Sequence, residues 1–400
     1  MAAFNLSDAG FLADPYPIYA RMRAEGPLLP LMPRVWMACH YRAADSALRD
    51  GRLGRDFASA VRLRYGPGIM DEPAFRMVGR FLLLMNPPEH TRLRALLSRA
   101  FGVKQAAELR SLAHAEASRL IDGLAGQREA DLVSAFNYPL PIAVICTMLG
   151  LGDDDRAMFS RETSALVKVL EINPLGPDEI AEANAAAGTF EAYFREVLRQ
   201  RRRSPGSDLI SLLLLAEDDN DRLSESEIIA NITLLFLAGH ETTANQLGNA
   251  LYSLFCHPDA LASLRAEPAC VSAAVDEALR FESSVHIAAR AVFDDIELGG
   301  VELTRGDLLY INLGSANRDP EVFDEPDRYR LRSATSLPKA LSFGGGIHYC
   351  LGARLARIEL ETGLSALLSR FPRLRLAGGA HPNWKPTLTI RGLDSLPVAW

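Results

Sequence analysis

The stretch Ser342–Arg357, SFGGGIHYCLGARLAR, restricts what this chain can become more than any other. Gly344, Gly345 and Gly346 permit backbone dihedrals and close approaches that a side chain forbids. A single cysteine, Cys350, follows, and Gly352 stands two residues beyond it. Leu351, Leu355 and Ile358 then recur at helical spacing. The pattern predicts a glycine-shaped loop that carries one sulfur and runs directly into a helix. At a helix N-terminus, unpaired N–H groups and the positive end of the dipole favour thiolate over thiol. Such a sulfur is a nucleophile or a metal ligand; a buried cysteine beside a turn is the plainer alternative.

Spacing separates these readings. Phe343, Gly346, His348, Cys350 and Gly352 form F-x-x-G-x-H-x-C-x-G, five constrained positions within ten residues. This resembles the haem-binding loop of the cytochrome P450 family. The resemblance implies that Cys350 is the axial ligand of haem b (iron protoporphyrin IX), where a thiolate favours O–O cleavage. It also implies that Phe343, Gly344, His348 and Gly352 lie against the haem, with Phe343 on the side of the sulfur.

Composition bounds the remaining possibilities. The chain has 400 residues, 48% of them hydrophobic, which is enough for a large core. A net charge of −7 argues against a general nucleic-acid binder. Five cysteines without a C-x-x-C argue against structural zinc and against a disulfide framework. The N-terminus lacks the basic start and apolar run of a signal peptide. No stretch reaches the ~18 apolar residues of a spanning helix. The expectation is a soluble cytoplasmic protein with no membrane partner, similar to the bacterial members of the family.

Along the chain, helical patterns cover Asp14 to Gly26, Tyr41 to Asp50, Pro88 to Phe101, Gln105 to Leu124, Pro139 to Leu149, Asp153 to Leu170 and Pro177 to Arg203. A short hairpin is expected over Pro27 to His40, and a strand over Ala130 to Val133. Gly51 to Met85 reads as an irregular, apolar lid, because Gly51, Gly54, Gly66, Pro67, Gly68 and Pro73 break any pattern. The longest helix is expected over Glu225 to Cys256, after a polar turn and an N-cap. Short β segments follow over Ala288 to Leu313, and the last thirty residues read as a β hairpin. The fold class is mainly α with a small β part. No linker or repeat interrupts it, so residues 1–400 read as one domain. The resemblance implies the P450 fold, with haem between the long helix and the cysteine-loop helix.

The long helix contains LLFLAGHETTANQL, with polar or tiny residues inside an apolar run. Glycine within a helix costs about 1 kcal/mol relative to alanine, so Gly239 needs a reason. The segment resembles the family's oxygen-activation motif, [AG]-G-x-[DE]-T-[TS]. On that resemblance Ala238 borders the haem, Thr242 holds a proton-donating water, and Glu241 relays protons from solvent. A packing or capping cluster is the plainer reading.

Glu277-Ala278-Leu279-Arg280 places opposite charges three apart on a helix, a weak signal alone. In this order along the chain it resembles the family's structural ion-pair motif, with Arg328 as the best match for a further arginine. Ala316-Asn317-Arg318-Asp319-Pro320 also matches the family. Haem propionates need cations and donors, and His90, Arg94, Arg290 and His348 occupy matching contexts. One departure stands out. Where the family commonly has a proline near position 284, this chain reads Ser283-Ser284-Val285-His286. In relatives this loop lines the substrate pocket, so Val285, His286 and Ala288 are candidate substrate contacts. His286 is a polar handle or points to solvent, the latter being favoured. Phe81, Leu235 and Phe236 complete the substrate candidates.

No flavin or nicotinamide fingerprint is present. The resemblance implies electrons from NAD(P)H through a ferredoxin or flavodoxin with its reductase, and O2 as cosubstrate. Arg92, Arg94, Arg99, Lys104 and Arg110, with Arg354 and Arg357, form a candidate basic docking patch. The expected function is monooxygenation of a hydrophobic small molecule by hydroxylation or epoxidation. Bacterial secondary metabolism such as polyketide tailoring is the expected setting, and a monomer is expected. A peroxide-using or rearranging haem-thiolate enzyme is one rival; a non-enzymatic haem-binding or interaction module is another.

Overall fold

The computed structural model describes residues 8–100, 105–152, 162–215, 217–218, 221–331, 338–378 and 383–400. The chain divides into two compact units, and the division falls between Glu241 and Thr242, within the longest helix. One unit comprises Met1–Gly54, Arg110–Leu140 and Thr242–Trp400; the other comprises Arg55–Leu109 and Pro141–Glu241.

The first unit holds the β structure. Leu28–Met32 and Val35–Ala38 form the expected N-terminal hairpin. Leu308–Asn312 joins it in parallel, and Ile287–Val292 lies antiparallel to Leu308–Asn312, with Leu309 opposite Arg290. Leu53–Gly54 closes this five-stranded sheet. Alternation along Leu308–Asn312 sends Leu309 and Ile311 into a core shared with Ala43, Ala44, Ala47 and Leu48 of the helix Tyr41–Arg49. Burying each large aliphatic group there contributes roughly 1.5–3 kcal/mol. The expected C-terminal hairpin takes another form. Pro397–Ala399 pairs with Arg375–Leu376 on one side and with the early strand Glu129–Asp131 on the other.

The second unit is helical. Pro177–Arg203 runs along Pro73–Val78, with Phe190 and Phe194 stacked at 6.1 Å. The stretch read as an irregular lid contains two helices, Phe57–Tyr65 and Pro73–Val78. Asp56 caps the first by accepting from the Ser59 N–H. Pro73 opens the second at a position where a missing N–H costs nothing. Asn184 Oδ1 accepts from the Ala74 N–H, and Asn231 Oδ1 accepts from the Leu82 N–H. The helix pattern expected from Asp153 begins outside the described residues.

The longest helix spans Glu225–Cys256, as its caps predicted. Ser224 Oγ accepts from the Glu227 N–H, and Glu227 Oε2 accepts from the Ser224 N–H. Its 32 residues extend roughly 48 Å. No described helix is long and apolar enough to cross a membrane.

Candidate active site

The cysteine loop is built by close approach. Gly344 and Gly346 have φ of +70° and +62°, in the left-handed region. A Cβ on Gly346 would stand 2.3 Å from the Leu48 carbonyl oxygen, so no side chain fits there. The Cys350 N–H donates to the Phe343 carbonyl at 2.9 Å, closing the loop. The helix Ala353–Arg370 begins three residues past the sulfur, with Gly352 as its N-cap. Cys350 is exposed, and Phe343 is half-buried with Arg357 5.6 Å from its ring centroid.

Neighbouring segments hold the loop from behind. Asn317 Oδ1 accepts from the Leu341 N–H at 2.7 Å, and Asn317 Nδ2 donates to Ser342 Oγ. Glu277 and Arg280 form a buried fork, with Nε to Oε2 at 2.9 Å and a terminal nitrogen to Oε1 at 2.7 Å. Arg280 also donates to the carbonyls of Asn317, Pro326 and Arg328. Arg328 therefore contributes its carbonyl and not its guanidinium, which is exposed and pairs with Glu325. That corrects the side-chain role expected of it. The reason is local: a surface carboxylate three residues away is nearer than the buried Glu277. The Arg330 backbone N–H takes the remaining place on Glu277 Oε1.

The residues present fit a haem on two counts. Arg290 is 2% exposed, and its guanidinium donates to the Ala289 carbonyl at 2.9 Å. Burial alone pulls its pKa down to about 10, with no carboxylate of the described residues opposing the shift. A buried cation without an acidic partner suits an anionic propionate. Gly239 is the second count. A Cβ there would meet Ile145 at 3.6 Å, an ordinary contact, so protein packing does not demand glycine. In the helix Glu89–Ala100, His90 is buried with Arg94 one turn on. Burial lowers the His90 pKa, and the Arg94 charge lowers it further. His348 is half-buried in the cysteine loop.

The long helix is buried along most of its length around the glycine. Its accessible positions in this region are Leu235, Ala238, Gly239 and Thr242, at spacings of three, one and three. That is a single face. Glu241 is buried next to it. Phe236 points elsewhere: it is fully buried between Phe190 and His240, at 6.3 and 4.8 Å. Phe81 is also fully buried. Neither ring reaches accessible space, which corrects the expectation that they contact substrate. A run of apolar residues does not reveal which face is core and which is ligand.

Val285 and Ala288 are half-exposed, while His286 is 2% exposed. The expectation that His286 faces solvent is overturned. Its ring lies between Tyr19, whose hydroxyl is 3.1 Å from Nδ1, and Tyr16, whose hydroxyl is 3.5 Å from Nε2. Tyr16 donates to Glu282 Oε1 at 2.7 Å, and Arg391 Nε donates to the same oxygen at 2.6 Å. Arg318 lies between the rings of Tyr16 and Phe281, 3.3 and 3.6 Å from their centroids. Sequence reasoning did not single out Tyr16, Tyr19 or Arg391; residues so far apart carry no local signal.

Of the basic candidates, Arg92 pairs with Glu227, Arg110 with Glu361 and Arg357 with Asp276. Arg354 is exposed, as are Ile347 and Tyr349 of the cysteine loop. The Arg99 side chain and Lys104 lie outside the described residues.

Comparison with known proteins bears on the whole chain. The family model "Cytochrome P450" matches residues 64–387. A protein named putative cytochrome P450 133B2, from Xylella fastidiosa, is 39% identical over 396 residues, covering 99% of this chain and 98% of that protein. Cytochrome P450 monooxygenase PikC of Streptomyces venezuelae is 37% identical over 399 residues, covering 98% of this chain and 92% of PikC. The crystal structure of myxobacterial cytochrome P450 CYP267B1 in complex with myristic acid superposes with a TM-score of 0.89 at 39% identity, covering 98% of each chain.

Proposed function

The chain belongs to the cytochrome P450 family, an oxygen-incorporating oxidoreductase family with a haem-thiolate cofactor, and from that premise we propose a hydroxylase of long apolar chains. Cys350 would hold the haem iron through its thiolate, and Glu241 with Thr242 would deliver protons. When bound, the haem supplies the oxygen chemistry, and a thiolate ligand favours O–O cleavage. The observation that carries the reading is the open stripe Leu235, Ala238, Gly239 and Thr242 on a helix otherwise buried from Ile228 to Leu251. It offers one hydroxyl among small and apolar surfaces, so a water can be held at Thr242 Oγ1 without flooding the face. Glu241, buried next in sequence, passes the proton on. Arg290 and His348 would receive a propionate, His90 and Arg94 are the second candidate pair, and Phe343 would lie on the side of the sulfur.

CYP267B1, similar over nearly the whole chain, was crystallised with myristic acid. Val285 and Ala288, half-exposed, present apolar side chains suited to such a chain. A tailoring step on a polyketide or acyl chain in secondary metabolism fits that surface. Electrons come from NAD(P)H through a ferredoxin or flavodoxin with its reductase, and O2 is the cosubstrate. Arg354, exposed at the start of the helix that follows Cys350, is the candidate docking cation.

The test is Thr242→Ala with a surrogate ferredoxin chain and myristic acid. Product per NADPH should fall roughly tenfold or more, with peroxide rising in its place. Unchanged yield and unchanged peroxide would remove Thr242 from proton delivery.

A further inference from the structure

The segment that departs from the family pattern, Ser283-Ser284-Val285-His286, hangs from the long helix by one side chain. Gln246 is 2% exposed and stands one turn past Thr242 on the same helix face. Its Nε2 donates to the carbonyls of Ala278 and Glu282, at 3.2 and 3.1 Å. Its Oε1 accepts from the Ser284 N–H at 2.8 Å. Both amide donors are therefore committed, and the oxygen holds a backbone group that proline does not possess. Where the resemblance leads one to expect a proline, this chain has a backbone N–H bonded to the helix.

The other backbone groups of the segment are held as well. Asn249 Nδ2 donates to the Arg391 carbonyl at 3.1 Å and to the Glu282 carbonyl at 3.4 Å. The Arg391 N–H donates to the Ser284 carbonyl at 2.7 Å, and the His286 N–H donates to the Thr389 carbonyl at 2.9 Å. The His286 carbonyl accepts from Leu313 N–H at 2.7 Å. Between these anchors the half-exposed Val285 and Ala288 flank buried His286 and Ile287. The accessible side chains are displayed by a backbone whose position is set four residues beyond Thr242.

We propose that Gln246 is a positioning residue: it ties the turn after Thr242 to Ser283–Ala288 and so fixes which carbon of a bound chain is oxidised. The proposal rests on the reading of Thr242 and of the apolar surface given above. A substrate held loosely by Val285 and Ala288 presents several carbons and admits water. Both faults appear in products and in wasted electrons.

The experiment compares haem-loaded wild type, Gln246→Leu and Ser284→Pro with myristic acid and a surrogate ferredoxin chain. It reads the distribution of hydroxylated carbons, peroxide per NADPH, and amide exchange over residues 282–288 and 389–391. Gln246→Leu should spread the product over more carbons, raise the peroxide share at least twofold, and speed exchange at least tenfold in those two stretches only. Ser284→Pro should move the products and peroxide in the same direction by less. Unchanged products and peroxide in folded variants would overturn the proposal, as would exchange that rises uniformly or not at all. If wild type does not oxidise myristic acid, the long-chain reading fails; the exchange pattern then decides the positioning claim. If Gln246→Leu does not fold, Gln246→Glu, which keeps the acceptor and loses the donors, carries the same readouts.

Discussion

Arg290 is a cation that no carboxylate of the described residues neutralises. Its guanidinium is buried in a strand, opposite Leu309, and its charge costs desolvation with no described carboxylate in return. A ligand anion changes the sign of that cost. Arg290→Met should therefore make the haem-free protein more stable, by about 1–4 kcal/mol. The haem-loaded protein should become less stable and lose haem faster. Thermal unfolding of both forms checks this; a variant that destabilises both forms equally would make Arg290 an ordinary structural residue. The glycine-shaped loop around Cys350 was legible in the sequence because its glycines and the helix after it form a spaced pattern. Phe81 and Phe236 were misread because hydrophobicity says that a residue is withdrawn from water and not which partner withdraws it. Arg328 was misread because a side chain goes to its nearest acid, which sequence order alone does not locate.

At the scale of elements, the helix Tyr16–Glu25, the strand beginning at Ile287 and the Thr389–Arg391 stretch meet around His286. The imidazole faces Tyr16, Tyr19, Glu282, Arg391 and Arg318. Burial holds its pKa well below 6.5, and the charges of Arg391 and Arg318 hold it lower still. Glu282 lies 3.8 Å away, but Arg391 and Tyr16 already bond its nearer oxygen. Below pH 6.5 the unfolded chain binds a proton that the native histidine refuses, so stability falls as pH falls, down to the native pKa. The slope from this group is at most about 1.4 kcal/mol per pH unit. His286→Phe should flatten the loss of stability between pH 7 and pH 5, measured by denaturant unfolding. An unchanged slope would mean that His286 is protonated in the fold. Helix ends were predicted well here because caps act within a few residues, as at Ser224 and Glu227. The helices Phe57–Tyr65 and Pro73–Val78 were missed because their glycines and prolines were read as breakers, although Pro73 starts a helix. The cluster around His286 joins positions hundreds of residues apart, and no local rule anticipates it.

At the scale of the whole molecule, the family assignment covers nearly the entire chain and brings with it a need for outside electrons. If an acidic ferredoxin docks beside the cysteine loop, Arg354→Glu should raise the ferredoxin KM severalfold, and added salt should do the same to wild type. Substrate binding should not change. Insensitivity to both would place docking elsewhere. The central claim is that Cys350 holds a haem through its thiolate, and everything proposed for Glu241, Thr242 and Gln246 depends on it. The ferrous–CO difference spectrum of the purified protein, beside that of Cys350→Ser, tests it most directly. The account predicts the red-shifted Soret band that gives the family its name, lost in the variant. A band at the histidine-ligand position in folded wild type, or one that survives in Cys350→Ser, would contradict it.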